Sequence, residues 1–443
     1  MTSHLTSIKT PHHSVIVVGG GQAGLSASYY LQQQGIDHLV LEKHSLTHTW
    51  RNQRWDAFSL VTPNWQCALP GYSYTDGFNG SDPHGFMKKD EINEYLAGFV
   101  KSVNAPAREG VTVQRVVPRT QGGFEVHTSH GEFTADQVIV ASGGYHTPII
   151  PRLAERLPAG IHQLHSEQYR NPQALPVGNV LVVGSGQSGA QIAEDLHLAG
   201  RKVYLAVGDA PRCARFYRGK DVVDWLAEMG YYEIGVDTHP LREGVRDNTN
   251  HYVTGRDGGR DIDLRRFALE GMELYGLLTG LGSDGTLEFQ PNLREHLDSA
   301  DATYNRINAS IDKFIASRGI EAPPPSVYTP VWEPPEERTR LNLAEAGITS
   351  VLWCIGFSPD FEWVDAPVFN GRGAPVHQRG VTGVPGLYFL GLPWLHTWGS
   401  GRFSGVARDA EFLAEAIEER KNAAATGRAD AQEAPAGAQL RAA

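Results

Sequence analysis

Cysteine is scarce. The 443 residues hold three, Cys67, Cys213 and Cys354, far apart and without a C-x-x-C. That excludes a disulfide framework, a thiolate zinc site and a vicinal redox dithiol. Histidines are scattered and no H-E-x-x-H occurs, so no metal site is expected. No uninterrupted apolar stretch approaches the roughly twenty residues of a membrane span, and no apolar leader opens the chain. The expectation is a cytoplasmic protein with no membrane contact. An excess of positive charge is missing too. Lys and Arg number 39 against 50 Asp and Glu, a net charge of -11 that argues against a nucleic-acid partner. Nothing in the sequence fixes the oligomeric state, and a homo-oligomer remains open.

What the chain does have is two copies of one signal. Val15 to Val18 is a β-branched run entering glycines, as in a buried parallel strand. A helix follows from about Ala23 to Gln34, closed by Gly35, and Asp37 to Glu42 reads as the next strand. The pattern returns with a strand at Val180 to Val183, a helix at Ala190 to Leu198 and a strand at Val203 to Val207. The fold class expected is α/β, with two Rossmann-like dinucleotide-binding domains and the second inserted into the first. Residues 1–13 read as a polar tail, 14–150 as the first part of one domain and 151–340 as the inserted domain. Residues 341–420 complete the first domain, and 421–443 read as a disordered tail. The Pro- and Glu-rich stretch Ala322 to Glu337 reads as a linker, and so does His146 to Pro151.

The glycines explain themselves chemically. In Gly19-x-Gly21-x-x-Gly24 the first permits a tight turn and the second lets the backbone approach a pyrophosphate. The third allows close helix–strand packing. Gln22 and Ala23 lie inside this turn. Glu42 ends the next strand, where a carboxylate accepts hydrogen bonds from a ribose. Gly184-x-Gly186-x-x-Gly189 repeats the turn, with Gln187 and Ser188 inside it. Beyond its second strand come Asp209, Arg212, Arg215 and Arg218. An arginine there pairs with a 2′-phosphate, which favours NADPH, while Asp209 keeps NADH open. For Arg218 a solvated face is an equal reading. Two nucleotide sites, the first with a ribose acid, point to FAD and NADPH as cofactors. The chemistry then belongs to the flavin, and the protein supplies position and field.

The paired turns resemble those of the class B flavin-dependent monooxygenases, the group of flavin-containing and Baeyer–Villiger monooxygenases. Ala141-Ser142-Gly143-Gly144-Tyr145 is similar to that family's A-T-G-x-Y, and Trp50-Arg51 to its T-W-R beside the flavin. Ile355 to Asp360 resembles T-G-Y-x-P-D. Of the fingerprint F-x-G-x-x-x-H-x-x-x-[FWY], His165 and Tyr169 fit the second half. Ala159 and Ile161 stand where Phe and Gly would be. His165 reads equally as structural or functional. Ser59 to Asn64 resembles S-L-x-T-N, with Pro63 inserted. The resemblance gives Asn64 a catalytic role against the flavin, while its place after Pro63 allows a turn cap instead. The runs Thr249 to Arg260 and Pro393 to Arg402 resemble a bacterial, nitrilase-associated subgroup of flavin-dependent oxidoreductases.

The resemblance implies an NADPH-consuming monooxygenase that activates dioxygen as a C4a-(hydro)peroxyflavin. It would oxygenate a small molecule at N, at S or beside a carbonyl. Trp394, His396, Trp398 and Arg402 either border the flavin or belong to the core. Three alternatives compete: a dithiol reductase, which lacks its cysteines, an NADPH oxidase releasing hydrogen peroxide, and a non-catalytic FAD/NADPH redox sensor.

Overall fold

The computed structural model describes residues 10–426. The expected tails therefore lie outside the described residues at 1–9 and 427–443. Their inner edges move. Strand β1 (His12–Val18) begins inside the stretch read as tail, because the Ser14 amide bonds the Asp37 carboxylate at 3.0 Å and draws it into the sheet. The last helix runs to Ala425, past residue 420, as its alanines favour.

β1 leads into helix α1 (Gln22–Gln33) and strand β2 (His38–Leu41). Then come α2 (His48–Asn52), α3 (Lys89–Val103), β3 (Ala107–Arg108), β4 (Val113–Pro118), β5 (Phe124–Thr128) and β6 (Gly131–Val140). β1 lies between β2 and β6, parallel to both. Val15 and Val17 face one core with Leu25 and Leu31 of α1 and Phe99 of α3. Ile16 and Val18 face another with Val126 and Phe133 of the hairpin strands. Burial on both faces is why β1 is an unbroken apolar run rather than an alternating one.

The chain leaves this sheet through β7 (Thr147–Pro148) and builds a second one from β8 (His162–His165), β9 (Asn179–Val183), α4 (Gln187–Leu198), β10 (Val203–Ala206) and β11 (Glu273–Tyr275). Helix α5 (Leu293–Arg318) and strand β12 (Ile348–Trp353) follow. All five strands are parallel, in the order β8-β12-β9-β10-β11. This corrects the boundary at residue 340. β12 is held on both sides inside the second sheet, so the inserted domain extends through Trp353. The return crossing is β13 (Phe357–Ser358), which pairs antiparallel with β7. β14 (His377–Gln378), β15 (Val381–Thr382) and β16 (Leu387–Phe389) then extend the first sheet beside β6, and α6 (Val406–Ala425) packs on α1. His165 pins the crossing: its Nε2 lies 3.0 Å from the Gly356 carbonyl oxygen, and its ring meets Phe357 edge-on. Burial holds it below the usual histidine range, which fits a neutral structural group.

Residues 322–337 are not an interdomain linker. They wrap the second domain as coil over α5, whose Asn305 bonds the Tyr328 backbone in both directions. Beneath them, Asp301 of α5 receives Nε of Arg212 and Nε of Arg265, each at 2.8 Å. Both guanidiniums are almost fully buried. Burial works against their charge, and Asp301 together with the other acidic groups around them (Asp263 at Arg212, Asp298 and Glu333 at Arg265) more than offsets it, holding both above the usual arginine range. Removing the shared carboxylate strands the buried charge of Arg212, while Arg265 keeps Asp298 and Glu333. Asp301→Ala is therefore expected to lower unfolding stability by about 3–5 kcal/mol, read from denaturant melts. A loss below about 1 kcal/mol, the scale of an exposed pair, would show that the site is solvated instead.

Candidate active site

The two turns share one geometry. Gly19 and Gly184 have φ of +111° and +100°. A Cβ on either would sit 2.6 Å from a backbone oxygen of the neighbouring strand end, Ala141 or Cys354. At Gly24 and Gly189 a Cβ would lie 1.9 Å from the carbonyl oxygen of Gly19 and Gly184 respectively. Gly21 and Gly186, the N-caps of α1 and α4, would aim a Cβ into open space, with nothing within 4 Å. Neither helix has a side-chain cap or an acid in its first turn. Each turn thus leaves unpaired N–H groups, a favourable helix dipole and room for a phosphate.

The first turn carries further features that fit FAD. Glu42 follows β2, its carboxylate accepting the Gly20 amide at 2.7 Å and the His44 amide at 2.8 Å. It is thereby fixed beside the phosphate cradle, where a ribose would meet it. Gln22 accepts the Trp50 indole N–H at 3.1 Å and donates to the Gly401 carbonyl. Ala23 is buried beneath Gly391, and the Ala141 backbone backs Gly19. Arg51 and Ser142 are exposed.

The second turn opens on a cleft of about 880 Å³ between the domains. Gly184, Gly186, Gln187 and Ser188 line one side. Arg54, Phe58, Trp394 and Arg402 line the other. The Gln187 amide donates to the Val253 carbonyl at 2.7 Å, anchoring the segment Thr249 to Arg260 on α4. Arg256 and Arg260 of that segment pair with Asp195 and Glu194 of the same helix. Asn250 accepts from Arg402 at 2.8 Å, which joins the two runs at the cleft wall.

The structure places three expected site residues off the cleft wall. Arg212, bound to Asp301, lies between the rings of Tyr304 and Tyr328 at 4.4 and 4.1 Å. Arg215 is equally buried, donating to Asp221 and to the Val61 carbonyl at 2.6 Å each. Neither lines the cleft, because internal acids hold both. Asn64 opens a single 3-10 turn after Pro63. Its Oδ1 accepts the Met87 amide at 2.6 Å and its Nδ2 donates to the Asp82 carbonyl at 3.0 Å. It anchors a neighbouring loop, and it is not on the cleft wall.

The sequence missed Arg54. Its guanidinium lies 4.7 Å from the Trp50 ring, has no carboxylate partner among the described residues, and is held below the usual range by burial. Arg402 lies 3.8 Å over Trp398 and is held low for the same reason. Both follow their tryptophan by four residues, a spacing that was a readable signal.

Gly21→Val should give colourless protein, since the side chain fills the phosphate cradle of α1. Gly186→Val should keep its flavin and lose reduction by nicotinamide. Yellow Gly21→Val protein, or colourless Gly186→Val protein, would reverse the assignment. Asn64→Ala should lose about 1–3 kcal/mol of stability by stranding the buried Met87 amide. It should leave flavin reduction normal in the FAD-loaded fraction. Unchanged stability would return Asn64 to the catalytic candidates.

Comparison with known proteins agrees with this geometry. The family described as pyridine nucleotide-disulphide oxidoreductase matches residues 16–228. Burial pushes each thiol here up to about 12, and no two form a disulfide. The plant indole-3-pyruvate monooxygenase YUCCA1 of Oryza sativa is 28% identical over 195 residues, 43% of this chain and 47% of that protein. A flavin monooxygenase variant from Stenotrophomonas maltophilia shares the fold at a TM-score of 0.63 and 20% identity, covering 93% of this chain and 99% of that one. The CzcO-like oxidoreductase of Geobacillus kaustophilus is 32% identical over 405 residues, 90% of this chain and 96% of that protein. The chain belongs, with that relative, to the CzcO-like family of oxidoreductases, and it shares the fold of the flavin monooxygenases.

Proposed function

We propose that the protein is an FAD-dependent monooxygenase that draws hydride from a nicotinamide dinucleotide. It would transfer one atom of dioxygen to a small organic substrate, at nitrogen, at sulfur or beside a carbonyl. The observation that carries this reading is the cleft itself. One of its walls is the second nucleotide turn, and the other is the loop that closes the first nucleotide domain. Bound FAD supplies the hydride acceptance and oxygen activation.

The residues do the rest. The turn Gly19 to Gly24, with Glu42 and Gln22, would hold FAD, and the turn Gly184 to Gly189 would hold the nicotinamide cofactor. Trp394 and Phe58 line the wall as apolar bulk that excludes water. Arg54 and Arg402 present fixed positive charge beside them, each steadied by an indole face. Such preoriented charge stabilises negative charge developing nearby more strongly than water does. Dithiol chemistry is a poor fit for thiols held protonated and apart.

The test uses FAD-loaded enzyme, reduced nicotinamide and isotopically labelled dioxygen with a panel of amines, sulfides and ketones. Label in one product, formed in step with nicotinamide consumption, is the expected result. Hydrogen peroxide released in full proportion to nicotinamide, with no labelled product from any class, would replace this reading with an oxidase. Flavin reduction too slow to support turnover would replace it with a sensor.

A further inference from the structure

We infer that the second nucleotide site is built for NADH, with Asp209 as the residue that selects against a 2′-phosphate. This rests on the proposal that the turn Gly184 to Gly189 holds the nicotinamide cofactor. It departs from the NADPH expectation raised by the arginines that follow β10.

The position comes first. In a Rossmann-like unit the adenosine ribose lies beside the end of the second strand, next to the phosphate turn. Here that strand is β10, and the chain just beyond it is tied to the turn. The Ser185 hydroxyl donates to the Gly208 carbonyl at 3.2 Å and receives the Gly208 amide at 3.0 Å. Asp209 is the next residue. It is exposed and lines the cleft with Gly184, Ser185 and Gly186. One carboxylate oxygen accepts the Ser299 hydroxyl at 2.9 Å, which orients the group. The other has no hydrogen-bond partner among the described residues, so it can accept from ribose hydroxyls.

The second observation is independent and concerns cations. A 2′-phosphate brings close to two negative charges and calls for a guanidinium or ammonium. Among the described residues, no lysine or arginine pairs with Asp209, and the cleft lining holds no lysine. Arg212 and Arg215, the nearest in sequence, are bound to Asp301 and Asp221. Arg218 is bound to Asp312. His296 lies 2.9 Å through Nδ1 from the Val207 carbonyl oxygen. The three arginines that do line the cleft are engaged by groups other than Asp209. Arg246 bonds the Trp394 and Leu395 carbonyls, Arg402 bonds Asn250, and Arg54 covers Trp50. A phosphate beside Asp209 would thus meet a carboxylate and no counter-charge.

The experiment measures binding to FAD-loaded enzyme by calorimetry, with NAD⁺ and NADP⁺ as the probes and no turnover. NAD⁺ should bind about ten- to a hundredfold more tightly, the scale of a single charge-assisted hydrogen bond. Asp209→Asn keeps an acceptor for Ser299 and removes the charge. It should narrow that gap from both sides, with FAD content and Tm unchanged because the residue is exposed. Asp209→Arg should reverse the order. NADP⁺ binding as tightly as NAD⁺ to the unaltered enzyme would overturn the inference and leave the monooxygenase reading standing. Binding of neither dinucleotide would overturn both.

Discussion

The third glycine of each nucleotide turn presses on the carbonyl of the first, and the architecture depends on that contact. A single added carbon would lie 1.9 Å from the oxygen in both domains. An approach this close brings each helix down on the end of its strand, so the N-termini of α1 and α4 stand at the carboxyl ends of the strands β1 and β9. From there each points its unpaired amides at the space where a pyrophosphate would lie. Glu42 and Asp209 then fall beside the two turns as a result of chain length. One follows β2 directly, and the other is tied back through Ser185.

The parts legible in the sequence were those in which spacing is itself the geometry. Glycines two and five residues after the first can do little else between an apolar strand and a helix. Glu42 was legible for the same reason. The apolar run of β12 fits either sheet, and only pairing with β8 and β9 decides between them. Arg215 was misleading because Asp221, six residues on, and the remote Val61 carbonyl hold it inside, and Arg212 because its partner is remote. Asp301 stands 89 residues beyond Arg212, and no local pattern announces it. For Asn64 the turn reading finds support in the structure: Pro63 sets it into a turn that its side chain then holds together. The stretch 322–337 has the composition of a linker, yet Tyr328 and Trp332 fasten it to the second domain.

The same chemistry separates structural charge from charge that a ligand can use. Arg212, Arg215 and Arg265 are buried with carboxylates at hydrogen-bonding distance, and their removal would strand those acids. Arg54 and Arg402 are shielded by aromatic faces and have no carboxylate partner among the described residues. A guanidinium kept in that condition retains its field for whatever enters the cleft. Partner type, more than proximity to a motif, distinguishes the two groups.

Arg215 has a consequence for how the protein can be divided. One of its nitrogens bonds Asp221 within the inserted domain, and another crosses to the Val61 carbonyl of the first, with the Phe86 ring 4.7 Å away. The indole of Trp65 makes a similar crossing to Asp224. Excising the inserted domain would therefore leave a buried cation with part of its coordination gone and an apolar ring face turned to water. Shuffling nucleotide domains between relatives must carry the stretch around Val61 and Phe86 along with the insert, although it lies about a hundred residues upstream in the chain.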